Sequence, residues 1–132
     1  MTRVDPIGKY MTSEPHSVGA EQTLAHAATV MQKHKIRHLP VLHGGKLVGI
    51  LSDRDLRLLE SLPDVNPSLI TVSDVMTTGV YAVAPETPIH EVVRSMAVNK
   101  YGSAVVMQSD KVVGIFTTVD VCNALVELLG DP

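Results

Sequence analysis

The chain has 132 residues, 45% of them hydrophobic and 19% charged, the proportions of a globular fold and not of a disordered or fibrous chain. A net charge of -3 with scattered basic residues, no tryptophan, three tyrosines and one phenylalanine excludes the basic footprint and aromatic stacking platforms of nucleic-acid binders. A lone Cys122 allows no internal disulfide, the N-terminus has no apolar leader and no apolar run approaches 18 residues, so the expectation is a cytoplasmic chain that engages no membrane.

Sliding the sequence on itself by 65 positions aligns residues 9–62 with 74–127 without a gap. Identities include Met11/Met76, Thr12/Thr77, Val18/Val83, Met31/Met96, Lys35/Lys100, Val41/Val106, Gly49/Gly114, Ile50/Ile115 and Asp55/Asp120. The chain is therefore read as two like units, 7–62 and 72–129, joined by a linker over 63–71. Prolines 63 and 67 interrupt any helix there, and the segment has no apolar periodicity.

Each unit opens on a Met-Thr pair and continues into a short strand centred on Val18 or Val83, β-branched and flanked by polar residues or proline. A helix follows. Leu24, Ala27, Ala28 and Met31 have the i, i+3, i+4, i+7 spacing of one face, as do Ile89, Val92, Val93 and Met96. Thr87-Pro88 reads as an N-cap with proline at the first helical position. Next come two apolar runs, 39–42 and 47–51, around His43-Gly44-Gly45-Lys46, a hairpin turn. The second unit repeats them as 104–107 and 112–116 around Gln108-Ser109-Asp110-Lys111. A last helix carries Leu56, Leu59 and Leu62 in one unit and Val121, Ala124, Leu125 and Leu128 in the other. A strand-helix-strand-strand-helix unit of 55 to 60 residues buries too little surface to be more than marginal alone, and two such units packed sheet to sheet would repair that.

The entry into that last helix carries the chemistry. Gly49-Ile50-Leu51-Ser52-Asp53-Arg54-Asp55 returns as Gly114-Ile115-Phe116-Thr117-Thr118-Val119-Asp120, with glycine, isoleucine, hydroxyl and aspartate at fixed offsets. A strand running into a hydroxyl-led helix start presents free backbone N–H groups and the positive end of a helix dipole to an anion. An aspartate three residues on can accept hydrogen bonds from a diol such as a ribose. Phosphate donors beside a carboxylate suggest a nucleotide. Ser52-x-x-Asp55 and Thr117-x-x-Asp120 are equally capping-box patterns that start a helix and nothing more.

The Met-Thr openings, the Arg37-His38-Leu39-Pro40-Val41 segment and the duplicated Gly-hydrophobic-x-Ser/Thr-x-x-Asp motif together resemble a tandem pair of CBS domains, a Bateman module, over residues 7–129. The resemblance implies an α+β fold of two β-α-β-β-α units packed sheet to sheet with pseudo-twofold symmetry. It implies a non-catalytic regulatory module binding an adenosine-containing ligand, AMP, ADP, ATP or S-adenosylmethionine, in the cleft between the units. No cofactor is required. Carried over by motif position, Asp55 and Asp120 accept the ribose hydroxyls, and Ser52 and Thr117 face the phosphates. Backbone around Val18, Leu39, Val83 and Ala104 borders the adenine. A homodimer forming a disc of four units is implied, as is an effector protein acted on in trans.

The two halves are not equivalent. Arg37, His38 and Arg54 correspond to Gly102, Ser103 and Val119, which concentrates cationic phosphate partners in one half, so one site is expected to bind a phosphorylated nucleotide well and the other to bind weakly or to prefer a less charged ligand. The alternative is a structural or protein-interaction module with no physiological nucleotide. Six histidines invite a metal reading, but His34 and His38 straddle a helix end, and no HExxH-type spacing or cysteine partner occurs. No nucleophile elbow or Ser-His-Asp order suggests hydrolysis.

Overall fold

The two hairpins form where the apolar runs place them, and each turns on two residues of positive φ, the geometry whose twist matches that of the flanking strands. Gly44 and Gly45 have φ of 58° and 79°, and Ser109 and Asp110 have 52° and 63°. Two turn chemistries thus serve one conformation. The computed structural model describes residues 4–130. In chain order the elements are β1 (Thr12–Ser13), β2 (Val18–Gly19), α1 (Leu24–His34), β3 (His38–His43), β4 (Lys46–Ser52), α2 (Asp53–Glu60), β5 (Ala82–Val83), α3 (Ile89–Asn99), β6 (Ser103–Gln108), β7 (Lys111–Thr117) and α4 (Thr118–Leu129). Single 3-10 turns lie at Ile7–Lys9, Pro67–Leu69 and Val72–Asp74.

Two compact units result. One runs from His16 to Val80, and the other joins the segment ending at Pro15 to the chain from Tyr81 onward. The first holds a sheet of order β2-β3-β4, with β2 parallel to β3 and β3 antiparallel to β4. The second holds β1-β7-β6-β5, built the same way with β1 added antiparallel to β7. Both hairpins carry a bulge at the same offset, between Val41 and Leu42 and between Val106 and Met107.

The compact units do not coincide with the sequence repeats, because each is closed by the segment that leads into the other repeat. Ile7 is fully buried in the core of Ile89, Val92, Met96, Ala104, Val106, Phe116 and Ala124. Its counterpart Val72 is buried with Leu24, Ala27, Met31, Leu39, Val41, Leu51 and Leu56. The backbone bonds match pair for pair. Ile7 N donates to Thr87 O at 2.7 Å, Gly8 N to Pro85 O at 2.9 Å and Ile89 N to Asp5 O at 2.8 Å; Val72 N donates to Gln22 O at 2.8 Å, Ser73 N to Ala20 O at 2.9 Å and Leu24 N to Ile70 O at 2.9 Å. Residues 70 and 71, expected to be linker, are thus part of the first sheet's unit, and the expected linker also contains the 3-10 turn at Pro67–Leu69, capped by Asn66.

This arrangement explains the motif glycines. Beside Gly49 runs the Met76-Thr77 segment, bonded through Ile50 N to Thr77 O at 3.0 Å and Thr77 N to Ile50 O at 2.9 Å. A Cβ on Gly49 would lie 2.5 Å from Met76 Sδ and 3.0 Å from the Thr77 carbonyl oxygen, and Gly114 is covered likewise by Met11. A side chain at either position would displace the methionine packed on it, and at Gly49 it would also press on the Thr77 carbonyl.

Two expectations are corrected. Thr87 does not cap α3: the helix starts at Ile89, Pro88 occupies the N-cap without a side-chain bond, and Asp5 O takes the Ile89 N–H instead. In the first unit Thr23 does cap α1, accepting from His26 N at 3.1 Å. Leu62 lies beyond the end of α2 and is 48% exposed. On α4 only Ala124 is fully buried, while Leu125 and Leu128 are exposed.

Positive φ also marks a local cost. Glu14 sits at φ 48°, where the other copy has Gly79 at 66°. A left-handed non-glycine residue costs roughly 1–2 kcal/mol, of which glycine's greater unfolded-state freedom offsets about half. Glu14→Gly is therefore expected to stabilise the fold by about 0.5–1 kcal/mol, read as a higher thermal midpoint. An unchanged or lower midpoint contradicts the strain.

Candidate functional site

In the first unit β4 delivers Ser52 to the N-cap of α2 in an extended conformation, where its Oγ accepts from Asp55 N at 3.1 Å. Asp53 N donates to Arg37 O at 2.7 Å, which ties the helix start to the residue before β3. That bond brings Arg37 and His38 beside the helix N-terminus. Arg37, His38, Ser52, Asp53, Arg54 and Arg57 line a pocket of about 310 Å³, so four of the five residues assigned to phosphate share one wall. Thr117, the fifth, belongs to the other unit.

Asp53 and Arg57 were not singled out from the sequence. Their i, i+4 spacing was the available signal, and they pair with Arg57 Nε 2.9 Å from Asp53 Oδ2. Asp53 and Asp55 in the first turn complement part of the helix dipole. Against those two carboxylates stand three guanidinium groups, one of them paired, which leaves a cationic surplus for an anion. Asp55 does not line this pocket. Its half-buried carboxylate accepts no hydrogen bond among the described residues, and its charge acts on His38.

The second copy uses the same residues differently. Thr117 and Asp120 form a capping box at α4, in which Asp120 Oδ2 accepts from Thr117 N at 2.9 Å and from Thr117 Oγ1 at 3.3 Å. Asp120 Oδ1 accepts from Thr12 Oγ1 at 3.0 Å. Asp120 is thus occupied on both oxygens while Asp55 is open. Gly102, Ser103 and Val119 stand where the first unit has Arg37, His38 and Arg54, and no cation replaces them at those positions.

His38 is half-buried. Burial and the Arg37 charge hold its imidazole below the ordinary 6.5, with Asp53 and Asp55 pulling the other way. The folded chain therefore binds this proton less readily than the unfolded chain. The contribution to stability is fully present above 6.5 and is lost as pH falls through the lowered value. Wild type is expected to lose more stability than His38→Gln between pH 7.5 and 5.5, measured by denaturant midpoints at each pH. Parallel curves would contradict this.

The residues assigned to the adenine border are mostly core. Val18 and Leu39 are buried in one unit and Ala104 in the other, with Val83 half-buried. None of the four lines the pocket at the start of α2. A second depression, about 470 Å³, lies between α1 and α2 and is walled by Ala28, Met31, Ile36, Leu56 and the polar residues around them, Arg37, Asp53 and Arg57 included. Neither Ser52 nor Asp55 belongs to it.

Among the described residues no group of three or more His, Cys, Asp or Glu is placed to hold a metal ion. His16 and His34 stack with ring centroids 3.5 Å apart. No helix among the described residues is long and apolar enough to cross a membrane.

The CBS domain family model matches residues 7–60 and 72–127. This chain belongs to the CBS domain family, as a tandem pair. It is 37% identical over 106 residues to inosine-5'-monophosphate dehydrogenase of Korarchaeum cryptofilum (strain OPF8), covering 80% of this chain and 21% of that protein. The chain thus spans about a fifth of that relative's length. Among solved structures it resembles a protein assigned to acetoin utilization (AcuB) from Vibrio cholerae, with 30% identity, a TM-score of 0.85 and coverage of 98% and 100% of the two chains. It shares its fold with CBSX2, solved in complex with AMP, at 24% identity and a TM-score of 0.81, covering 95% and 98%.

Proposed function

We propose that this chain is a regulatory, non-catalytic module that binds an adenosine-containing ligand, AMP, ADP, ATP or S-adenosylmethionine, and passes its occupancy to a partner protein in the cytoplasm. The ribose diol lies on Asp55, and phosphate lies among Ser52, Arg37, His38 and Arg54. The observation that carries this reading is the pocket at the start of α2, where arginines 37, 54 and 57 and a half-buried imidazole meet a helix N-terminus. A volume of 310 Å³ lies at the lower end of ligand-site volumes, enough for the phosphate end of a nucleotide. AMP bound to CBSX2, a protein of this fold, supports the ligand class. A homodimer is part of the proposal, supported by exposed Leu125, Val126, Leu128 and Leu129 on α4.

The alternative, an interaction module whose motif residues serve only as helix caps, draws support from the second copy, where Asp120 is engaged in its capping box. Thermal-shift titration with AMP, ADP, ATP, S-adenosylmethionine and a guanine nucleotide separates the two. Ligand at 100 times its dissociation constant contributes about 2.7 kcal/mol, a rise of roughly 10 °C at this chain length. Asp55→Ala is expected to weaken binding about 10- to 150-fold, the equivalent of one charge-assisted hydrogen bond of about 1.5–3 kcal/mol. No shift with any adenosine compound at millimolar concentration would favour the interaction module.

A phosphate dianion beside His38 would raise its proton affinity, so AMP is expected to bind more tightly as pH falls through the range in which the bound imidazole protonates.

A further inference from the structure

We propose that Thr12 is an internal occupant of the second copy of the motif, so that the chain offers one ribose-accepting carboxylate, Asp55, and holds the other, Asp120, closed. The inference rests on the reading of the motif aspartates as ribose acceptors. A vicinal diol binds a carboxylate by donating two O–H groups, and a carboxylate offers about four acceptor positions, two on each oxygen. With both positions on Oδ2 taken by Thr117, the diol finds room for two donors only where Thr12 leaves Oδ1. At Asp120 both oxygens already have donors: Thr12 Oγ1 to Oδ1 at 3.0 Å, and Thr117 N and Oγ1 to Oδ2 at 2.9 and 3.3 Å. The Thr12 hydroxyl supplies the same donor, at the same distance, as the first hydroxyl of a diol would.

Thr12 cannot drift away from this position. Its backbone is in β1, paired with β7 through Thr12 opposite Ile115 and Ser13 opposite Gly114, and Met11 beside it covers Gly114. With the backbone held, freeing the carboxylate takes a side-chain rotation at Thr12 or Asp120, and the β-branched Thr12 has few χ1 wells. The occupant is part of the same chain, present at every ligand concentration, and a ligand must displace it.

The first unit shows the other state with the same residue types. Thr77 stands opposite Ile50 as Thr12 stands opposite Ile115, yet among the described residues its hydroxyl reaches no carboxylate, and Asp55 accepts no hydrogen bond. Ser52 caps α2 from its own Oγ, and the Asp55 side chain takes no part in that bond. The specificity of the pair for one ligand per chain therefore lies in which threonine has captured its aspartate.

The test is calorimetric titration of AMP into wild type, Thr12→Val, Thr12→Ser, Asp55→Asn and the Thr12→Val/Asp55→Asn double variant. Valine keeps the β-branched shape on an exposed strand and removes the donor, while serine keeps the donor. Expected are one AMP per chain for wild type and Thr12→Ser, and a second and weaker AMP for Thr12→Val because the second copy lacks the cations of the first. Asp55→Asn should weaken binding about 10- to 150-fold, and the double variant should show that weaker second event as its leading one. Wild-type binding of two, or Thr12→Val remaining at one with unchanged affinity, overturns the inference and leaves the nucleotide reading standing. No AMP binding by wild type and by Thr12→Val overturns both.

Discussion

Ile7→Ala is expected to destabilise the protein by about 2–5 kcal/mol, the cost of truncating a fully buried aliphatic side chain, and the loss falls on the unit that holds the second repeat. Ile7 is 0% exposed and packs with Ile89, Val92, Phe116 and Ala124. Its neighbouring backbone bonds go to Thr87 and Pro85. Native-state hydrogen exchange reads the location directly, since sub-global openings report the free energy of each cooperative unit. Amides of β6, β7 and α3 should lose protection while those of β3, β4 and α1 keep theirs. Val72→Ala should produce the reverse pattern with a smaller loss, because fewer atoms are removed. Loss of protection in β3 and β4 on replacing Ile7 would show that the leading segments do not pack as described.

Phe116→Ala is expected to cost about 3–5 kcal/mol, a large share of the 5–15 kcal/mol typical of a folded domain. Phe116 is the one phenylalanine of the chain and stands first by volume among the fully buried side chains. It sits on β7 opposite Ala104, so a small residue across the ladder accommodates the ring and cannot fill the space it would leave. At the equivalent position the first unit has Leu51 opposite Leu39, both 0% exposed. Two medium side chains there do what one large and one small do here. Phe116→Leu should consequently cost less than Phe116→Ala, and pairing it with Ala104→Leu should recover part of the difference, in the manner of volume-conserving core swaps. Denaturant midpoints measure both. A Phe116→Ala loss below 1 kcal/mol would mean that the core collapses around the gap.

Much of this was legible in the chain itself. The 65-residue repeat, the Leu24/Ala27/Met31 and Ile89/Val92/Met96 faces, both hairpins and the two hydroxyl-led helix starts follow from local spacing, because helix and strand periodicities and turn chemistry act over a few residues. Arg37, His38, Ser52 and Arg54 could be grouped by motif, and they do share a wall. Leu125 and Leu128 lie on α4 as read from the spacing and are exposed, because helical spacing identifies an apolar face without showing that anything covers it. Thr87 was misread because a cap pattern does not reveal that Asp5 from far along the chain already satisfies the helix start.

By itself the sequence determined two like units and a duplicated Gly-Ile-x-Ser/Thr-x-x-Asp turn. It could not determine which repeat each leading segment closes. Ile7 and Val72 occupy equivalent positions, and exchanging them between repeats leaves every apolar spacing and every type of backbone bond unchanged, so both arrangements have one sequence pattern. The sequence separated the two copies by the cations beside Asp55, but could not show that the Asp120 carboxylate is already engaged and that of Asp55 is not. That difference is a side-chain rotation: the Thr12 hydroxyl, 108 residues away in sequence, reaches Asp120, and the contact exists only because β1 is laid against β7 by tertiary packing.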